Sequence, residues 1–98
     1  MPRELVRGLP RSVTNREDAR QLVRASGSVA ANYLDANDSL SKKDFRMRVK
    51  ICRKESKESR LFVRLLYPDA AQERERDDLV QEATELMNIF GAILRNSE

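Results

Sequence analysis

Apolar residues recur every three or four positions along most of the chain, the spacing that places them on one face of an α-helix. The longest such run alternates steps of four and three and includes two serines: Phe45, Val49, Cys52, Ser56, Ser59, Val63 and Leu66. A seam of this kind is typical of helical bundles and coiled coils. We therefore predict a helix over 41–66, which begins with the capping pair Ser41 and Asp44 and stops before Pro68.

Two further long helices are predicted on either side of this one. Thr14 and Glu17 have the spacing of a capping box, which predicts a helix over 14–34. Its apolar face carries mostly small side chains, suited to close approach of another helix: Leu22, Ala25, Ser26, Val29, Ala30 and Tyr33. The last helix is predicted over 73–96, with Leu79, Ala83, Leu86, Phe90 and Ile93 on its buried face. Residues 3–9 predict only a short first helix. The 98 residues thus predict one all-α domain, a helical bundle over 1–98.

The composition excludes several classes of function. The chain has no histidine and a single cysteine, Cys52, so histidine-based catalysis, histidine metal ligands and cysteine pairs are ruled out within it. The glycines are isolated and form no phosphate-binding loop. We therefore predict a non-enzymatic protein without metal or cofactor. No stretch is apolar enough for a membrane span or a signal peptide, which predicts a cytoplasmic protein with no membrane partner.

Charge provides the strongest indication of function. Residues 41–66 hold ten Lys or Arg against three acids, whereas 67–98 hold three against eight and the whole chain carries +3. Six cations of the predicted third helix form one stripe close to the side opposite the apolar seam: Arg46, Lys50, Arg53, Lys57, Arg60 and Arg64. Like charges at these spacings destabilise an isolated helix, and a polyanionic partner would offset that repulsion. A face that is only solvated is the alternative interpretation.

Two carboxylates lie on another side of the same predicted helix. Glu55 and Glu58 share that side with Arg48, away from the basic stripe. Catalysis or metal binding would need more inward acids or a histidine. We instead predict a structural polar layer of Arg48, Glu55 and Glu58, in which arginine from this helix or another subunit neutralises the acids.

Three stretches of the chain carry a family resemblance: residues 21–36 (QLVRASGSVAANYLDA), 54–59 (KESKES) and 85–94 (ELMNIFGAIL). The first resembles the signature Arg-Ala/Ser-x-Ser-Ile/Val-x-Ala-Asn-x-x-Glu-Ala/Gly, with Asp35 where the family usually has Glu. The second resembles its Lys-Glu-Ala/Ser-x-Glu-Ser/Thr element. Together they resemble the small bacterial four-helix-bundle proteins encoded in 23S rRNA intervening sequences.

The resemblance implies an antiparallel up-down four-helix bundle that forms a ring, typically a homopentamer, with no enzymatic activity. A similar bundle is the accessory factor of the reverse transcriptase in diversity-generating retroelements and binds nucleic acid through a basic surface. This chain departs from the family in its first helix, which is short or truncated. Part of the apolar seam should then be uncovered, so we expect either an upstream segment or subunit contacts to close the gap.

The functional prediction is a homo-oligomeric bundle that binds RNA or DNA through phosphates, with the six stripe residues as contacts and a protein partner alongside. The alternative is a protein scaffold or adaptor whose stripe docks an acidic protein. An enzymatic role would require a composite site between subunits.

Overall fold

The structure, a computed structural model, describes residues 2–10 and 12–98, and within them it contains four α-helices and no strand. The helices are α1 (Pro2–Gly8), α2 (Val13–Asn37), α3 (Lys42–Leu65) and α4 (Glu73–Asn96). A single 3-10 turn, Ala70–Gln72, leads directly into α4. The prediction of an all-α helical bundle with a short first helix is confirmed.

The helix starts agree with the sequence pattern at α3 and differ at α2. Ser41 caps α3, where its hydroxyl accepts a hydrogen bond from the Asp44 amide at 3.1 Å. In α2 the cap is Ser12, whose hydroxyl accepts from the Asn15 amide at 3.0 Å, so the predicted Thr14 cap is wrong by two residues. The helix also continues past residue 34, because Ala36 is buried in the core and extends its apolar face by another turn.

The third helix lies between the other two long helices. Contacts with α2 pair Arg24 with Glu58, Cys52 with Val29 and Arg48 with Asp35. Contacts with α4 pair Arg46 with Leu94 and Arg60 with Thr84. In both sets residue numbers rise along one helix as they fall along its neighbour, which is how antiparallel helices meet. The resulting rod measures 45 × 19 × 17 Å.

The core divides into two apolar clusters with serines between them. One cluster lies at the α1 end and is formed by Leu5, Ala19, Leu22, Val63, Leu66 and Leu79. The other lies towards the α2–α3 turn and is formed by Ala36, Val49, Cys52, Phe90 and Leu94. Between them, the hydroxyls of Ser56 and Ser59 are buried and donate to carbonyls of their own helix, each at 2.8 Å. Since α1 has only seven residues, it covers the bundle at the first cluster alone.

Candidate nucleic-acid interface

The solvent side of α3 is a straight line of exposed side chains. This line alternates steps of four and three, and every member is exposed: Lys43, Met47, Lys50, Lys54, Lys57, Leu61 and Arg64. Five of the seven are cations. The helix rise of about 1.5 Å per residue makes the line roughly 30 Å long.

The six cations predicted to form one outward stripe divide into two groups. Lys50, Arg53, Lys57 and Arg64 are exposed, whereas Arg46 and Arg60 are half-buried. Arg46 donates from Nη1 to the Leu94 carbonyl at 2.6 Å and to the Ser97 hydroxyl at 2.7 Å, near the end of α4. Arg60 donates from Nη1 to Oγ1 of Thr84 at 3.3 Å. Both arginines therefore hold α3 against α4.

Arg46 and Arg60 contact α4 because the predicted stripe does not point straight away from the core. Each residue turns an α-helix by about 100°, and on this geometry the mean direction of the six cations lies roughly 100° around the helix from the apolar seam. The side opposite the seam would be at about 180°, so the stripe is turned towards α4. Arg53 reaches over the same helix, since a Cβ atom at Gly91 would lie 3.8 Å from its Nε. The Arg53 guanidinium therefore lies over α4 at Gly91, at the edge of the stripe.

Two cations of the exposed line, Lys43 and Lys54, were missed by the sequence prediction. Both lie within about 20° of the direction opposite the seam, so taking the solvent side as opposite to the mean direction of the seam residues would have identified them. The sequence prediction instead centred the solvent side on the longest run of cations, and part of that run faces α4. We call the exposed set the basic face: Lys43, Lys50, Arg53, Lys54, Lys57 and Arg64. Among the described residues, no carboxylate oxygen lies within 4.0 Å of any of its charged nitrogens.

On the α2 side of α3, the arginine that meets the two glutamates is Arg24 of α2. Its Nη2 lies 2.9 Å from Oε2 of Glu58 and 3.5 Å from Oε2 of Glu55, whose side chain is only 11% exposed. The hydrogen bond to Glu58 and the charge of Glu55 raise the pKa of Arg24 above its ordinary value. The neutralising cation thus comes from within the same chain.

Arg48 does not join Glu55 and Glu58, contrary to the predicted polar layer. It lies nearer the α2–α3 turn, with Nη1 at 3.4 Å from Oδ2 of Asp35 and 3.3 Å from Oδ1 of Asn32. Its Nε is 3.8 Å from Oδ1 of Asp44. Two helical turns along α3 separate Arg48 from Glu55, so the two ion-pair sites are distinct.

Cys52 lies in the second apolar cluster, completely buried. Burial raises the pKa of its thiol, which also contacts the Val29 carbonyl at 3.6 Å. An inaccessible thiol with a raised pKa is a poor nucleophile, so its contribution is to packing. Within residues 2–10 and 12–98, no three or more His, Cys, Asp or Glu side chains cluster as metal ligands would. Over those same residues, none of the helices has the length and apolar character needed to cross a bilayer.

Comparisons with protein-family models, with curated proteins and with solved structures found no match. The family resemblance of residues 21–36, 54–59 and 85–94 therefore stays a prediction.

Proposed function

We propose that this protein is a non-enzymatic, homo-oligomeric bundle of the cytoplasm that binds RNA or DNA through the phosphate backbone. The observation that carries the proposal is the basic face, six exposed cations on one helix without a carboxylate partner among the described residues. Repulsion between such neighbours costs an isolated helix roughly 0.2–0.5 kcal/mol per pair, and phosphates would convert it into attraction.

The chemistry of the basic face favours backbone contact over base recognition. No aromatic side chain lies in the exposed line, and stacking on aromatic rings is the usual means of holding unpaired bases. The net charge of the whole chain is only +3, so attraction would come from this face and not from the molecule as a whole. Several copies in a homo-oligomer, a pentamer if the family resemblance holds, would strengthen binding by multivalency.

The test is a fluorescence-anisotropy titration of generic RNA and duplex DNA across a salt series. The variant Lys54→Gln/Lys57→Gln removes two charges from the basic face. Its matched control, Arg16→Gln/Arg74→Gln, removes two exposed charges elsewhere. If both lysines contact phosphates, the slope of log K against log salt should fall by about 1.4 to 1.8 in the first variant and remain unchanged in the second. Equal slopes in all three proteins would contradict the proposal.

The alternative is a scaffold whose basic face docks an acidic protein surface. Two apolar side chains in the exposed line, Met47 and Leu61, favour it, since each is 51% exposed and phosphates offer them no partner. Two results together would support the scaffold. The wild-type protein would bind neither nucleic acid at low salt, and it would bind an acidic protein with an affinity that Met47→Gln/Leu61→Gln abolishes.

A further inference from the structure

A groove runs along the side of the bundle that α1 leaves uncovered. Its floor is α3, with Ser56, Ser59 and Val63, and its walls are α2 and α4. The volume is about 440 Å³, within the range of ligand sites in proteins. The groove lies on the seam side of α3, so it is separate from the basic face.

Both ends of the groove are defined by side chains. Pro2 of α1 lies at one end. At the other, the rings of Tyr33 and Phe90 meet across the groove, with centroids 6.2 Å apart. Tyr33 is 46% exposed and Ile89 of the α4 wall is 53% exposed, so apolar surface faces water here. From Leu22 to Tyr33 the α2 wall is about 16 Å long, which is three helical turns.

The two rims of the groove differ in charge. On α4, Glu82 lines the groove, and Asp78 and Glu85 lie about one turn to either side of it, all three exposed. None of these acids has a Lys or Arg nitrogen within 4.0 Å in the part of the chain that the structure describes. On α2, the lining residues Ser26 and Ala30 are small and uncharged. The groove thus has one acidic rim and one neutral rim that allows close approach.

We propose that this groove binds an amphipathic helix of another protein, about three turns long, with lysines or arginines along one edge. The apolar stripe of that helix would fill the groove, as in other helix-in-groove complexes. Its basic edge would lie along Asp78, Glu82 and Glu85, and its other edge would need small residues to pack against Ser26 and Ala30.

A second copy of this chain does not supply such a helix. The apolar stripe of α3 is buried between its neighbours, and those of α2 and α4 form the groove walls themselves. The short α1 uses Leu5 in the first apolar cluster. The solvent side of α3 carries three exposed apolar residues, Met47, Leu61 and Leu65, and 14 positions separate Met47 from Leu61, so this stripe is too sparse to fill the groove. A foreign helix satisfies both the apolar and the charge requirement.

The experiment uses a fluorescein-labelled, helix-stapled peptide of three to four turns, with a leucine stripe, one alanine edge and one lysine edge. The control peptide has glutamate in place of every lysine. Anisotropy titrations with the full chain at physiological salt should show at least tenfold tighter binding of the lysine peptide. Equal affinities, or no binding of the lysine peptide to folded protein, would overturn the proposal.

Protein variants locate the binding. Ala30→Trp should fill the groove and weaken the lysine peptide at least tenfold, whereas Ala31→Trp, at an exposed neighbour that does not line the groove, should leave its affinity unchanged. Glu82→Lys lowers the charge of the acidic rim from −3 to −1, so it should reduce the preference for the lysine peptide at least threefold. Asp77→Lys on the same helix should leave that preference unchanged, and this pair also serves if Ala30→Trp fails to fold. Equal effects within either pair would place the peptide elsewhere. Light scattering measures the number of subunits in each variant. If Ala30→Trp alone forms an assembly with fewer subunits than the wild type, a second copy of the chain occupies the groove and the proposal is wrong.

Discussion

Asn15 shows how much one buried polar side chain contributes to this small protein. It is 3% exposed, and its Nδ2 donates to the carbonyls of Pro10 and Tyr67, both at 3.0 Å. Its Oδ1 accepts from the Tyr67 amide at 2.8 Å. One side chain thereby ties the segment before α2 to the segment after α3, and provides backbone groups outside the helices with partners.

We expect Asn15→Ala to lower the free energy of unfolding by about 2 kcal/mol, because it leaves polar groups of Tyr67 without partners. That loss corresponds to a fall in melting temperature of about 10 °C for a domain of this size. Circular dichroism during heating and urea unfolding measures both quantities. The control Asn88→Ala, on the exposed side of α4, should change stability by no more than about 0.5 kcal/mol. Similar losses in the two variants would show that Asn15 has no special role.

At the scale of the element, α3 carries its cations on two adjacent strips of its surface. The strip next to α4 carries Arg46 and Arg60, which hydrogen-bond across to that helix, with Arg53 at its edge. The next strip carries Lys50, Lys54 and Lys57, which are exposed and have no carboxylate oxygen within 4.0 Å over residues 2–10 and 12–98. Nη1 of Arg46 carries two N–H groups and donates to both the Leu94 carbonyl and the Ser97 hydroxyl, so one side chain of the first strip anchors the end of α4.

This division predicts opposite consequences for two similar substitutions. Arg46→Gln should lower the free energy of unfolding by about 1 kcal/mol or more, because the carbonyl at the end of α4 loses a charged donor. Lys50→Gln should change stability by less than about 0.5 kcal/mol but lower the salt slope of nucleic-acid binding by about 0.7 to 0.9. Urea unfolding and anisotropy titration on the same preparations measure the pair. A stability loss for Lys50→Gln that matched the loss for Arg46→Gln would contradict the division.

At the scale of the whole molecule, stability should be distributed unevenly along the rod. The third helix contacts both long neighbours, whereas α2 and α4 are separated by the groove along part of their length. At one end, α1 is held by few side chains, chiefly Leu5. Segments with little buried apolar surface open at lower free energy than the core, so we expect the centre of α3 to be the last part to open.

Native-state hydrogen exchange tests this distribution directly. Amides around Cys52 should exchange at least about 100-fold more slowly than those of α1. The Val29–Tyr33 part of α2 borders the groove, so its amides should exchange at an intermediate rate. The lysine-edged peptide, if it occupies the groove, should protect that part of α2 and leave α1 unchanged. Equal protection of α1 and α3 would show that the rod opens only as one unit.

The sequence by itself determined the helices, because helical periodicity and capping are local properties of the chain. The seam from Phe45 to Leu66 and the Ser41 cap located α3 to within a residue at each end, and residues 3–9 predicted a short α1. Both ends of α2 were misplaced. The Thr14–Glu17 capping box drew the start two residues past the Ser12 cap, and the helix continues from residue 34 to Asn37.

The tertiary structure alone decided which surfaces the side chains face and which partners they meet. The rotation of α3 turned Arg46 and Arg60 towards α4 and exposed Lys43 and Lys54. The packing of α2 brought Arg24, and not Arg48, to Glu55 and Glu58. The separation of α2 from α4 opened the groove with its acidic rim. These features depend on how the helices rotate and pack against each other. Periodicity in the sequence shows which residues share a face of a helix, but it does not show which neighbouring helix or solvent that face contacts.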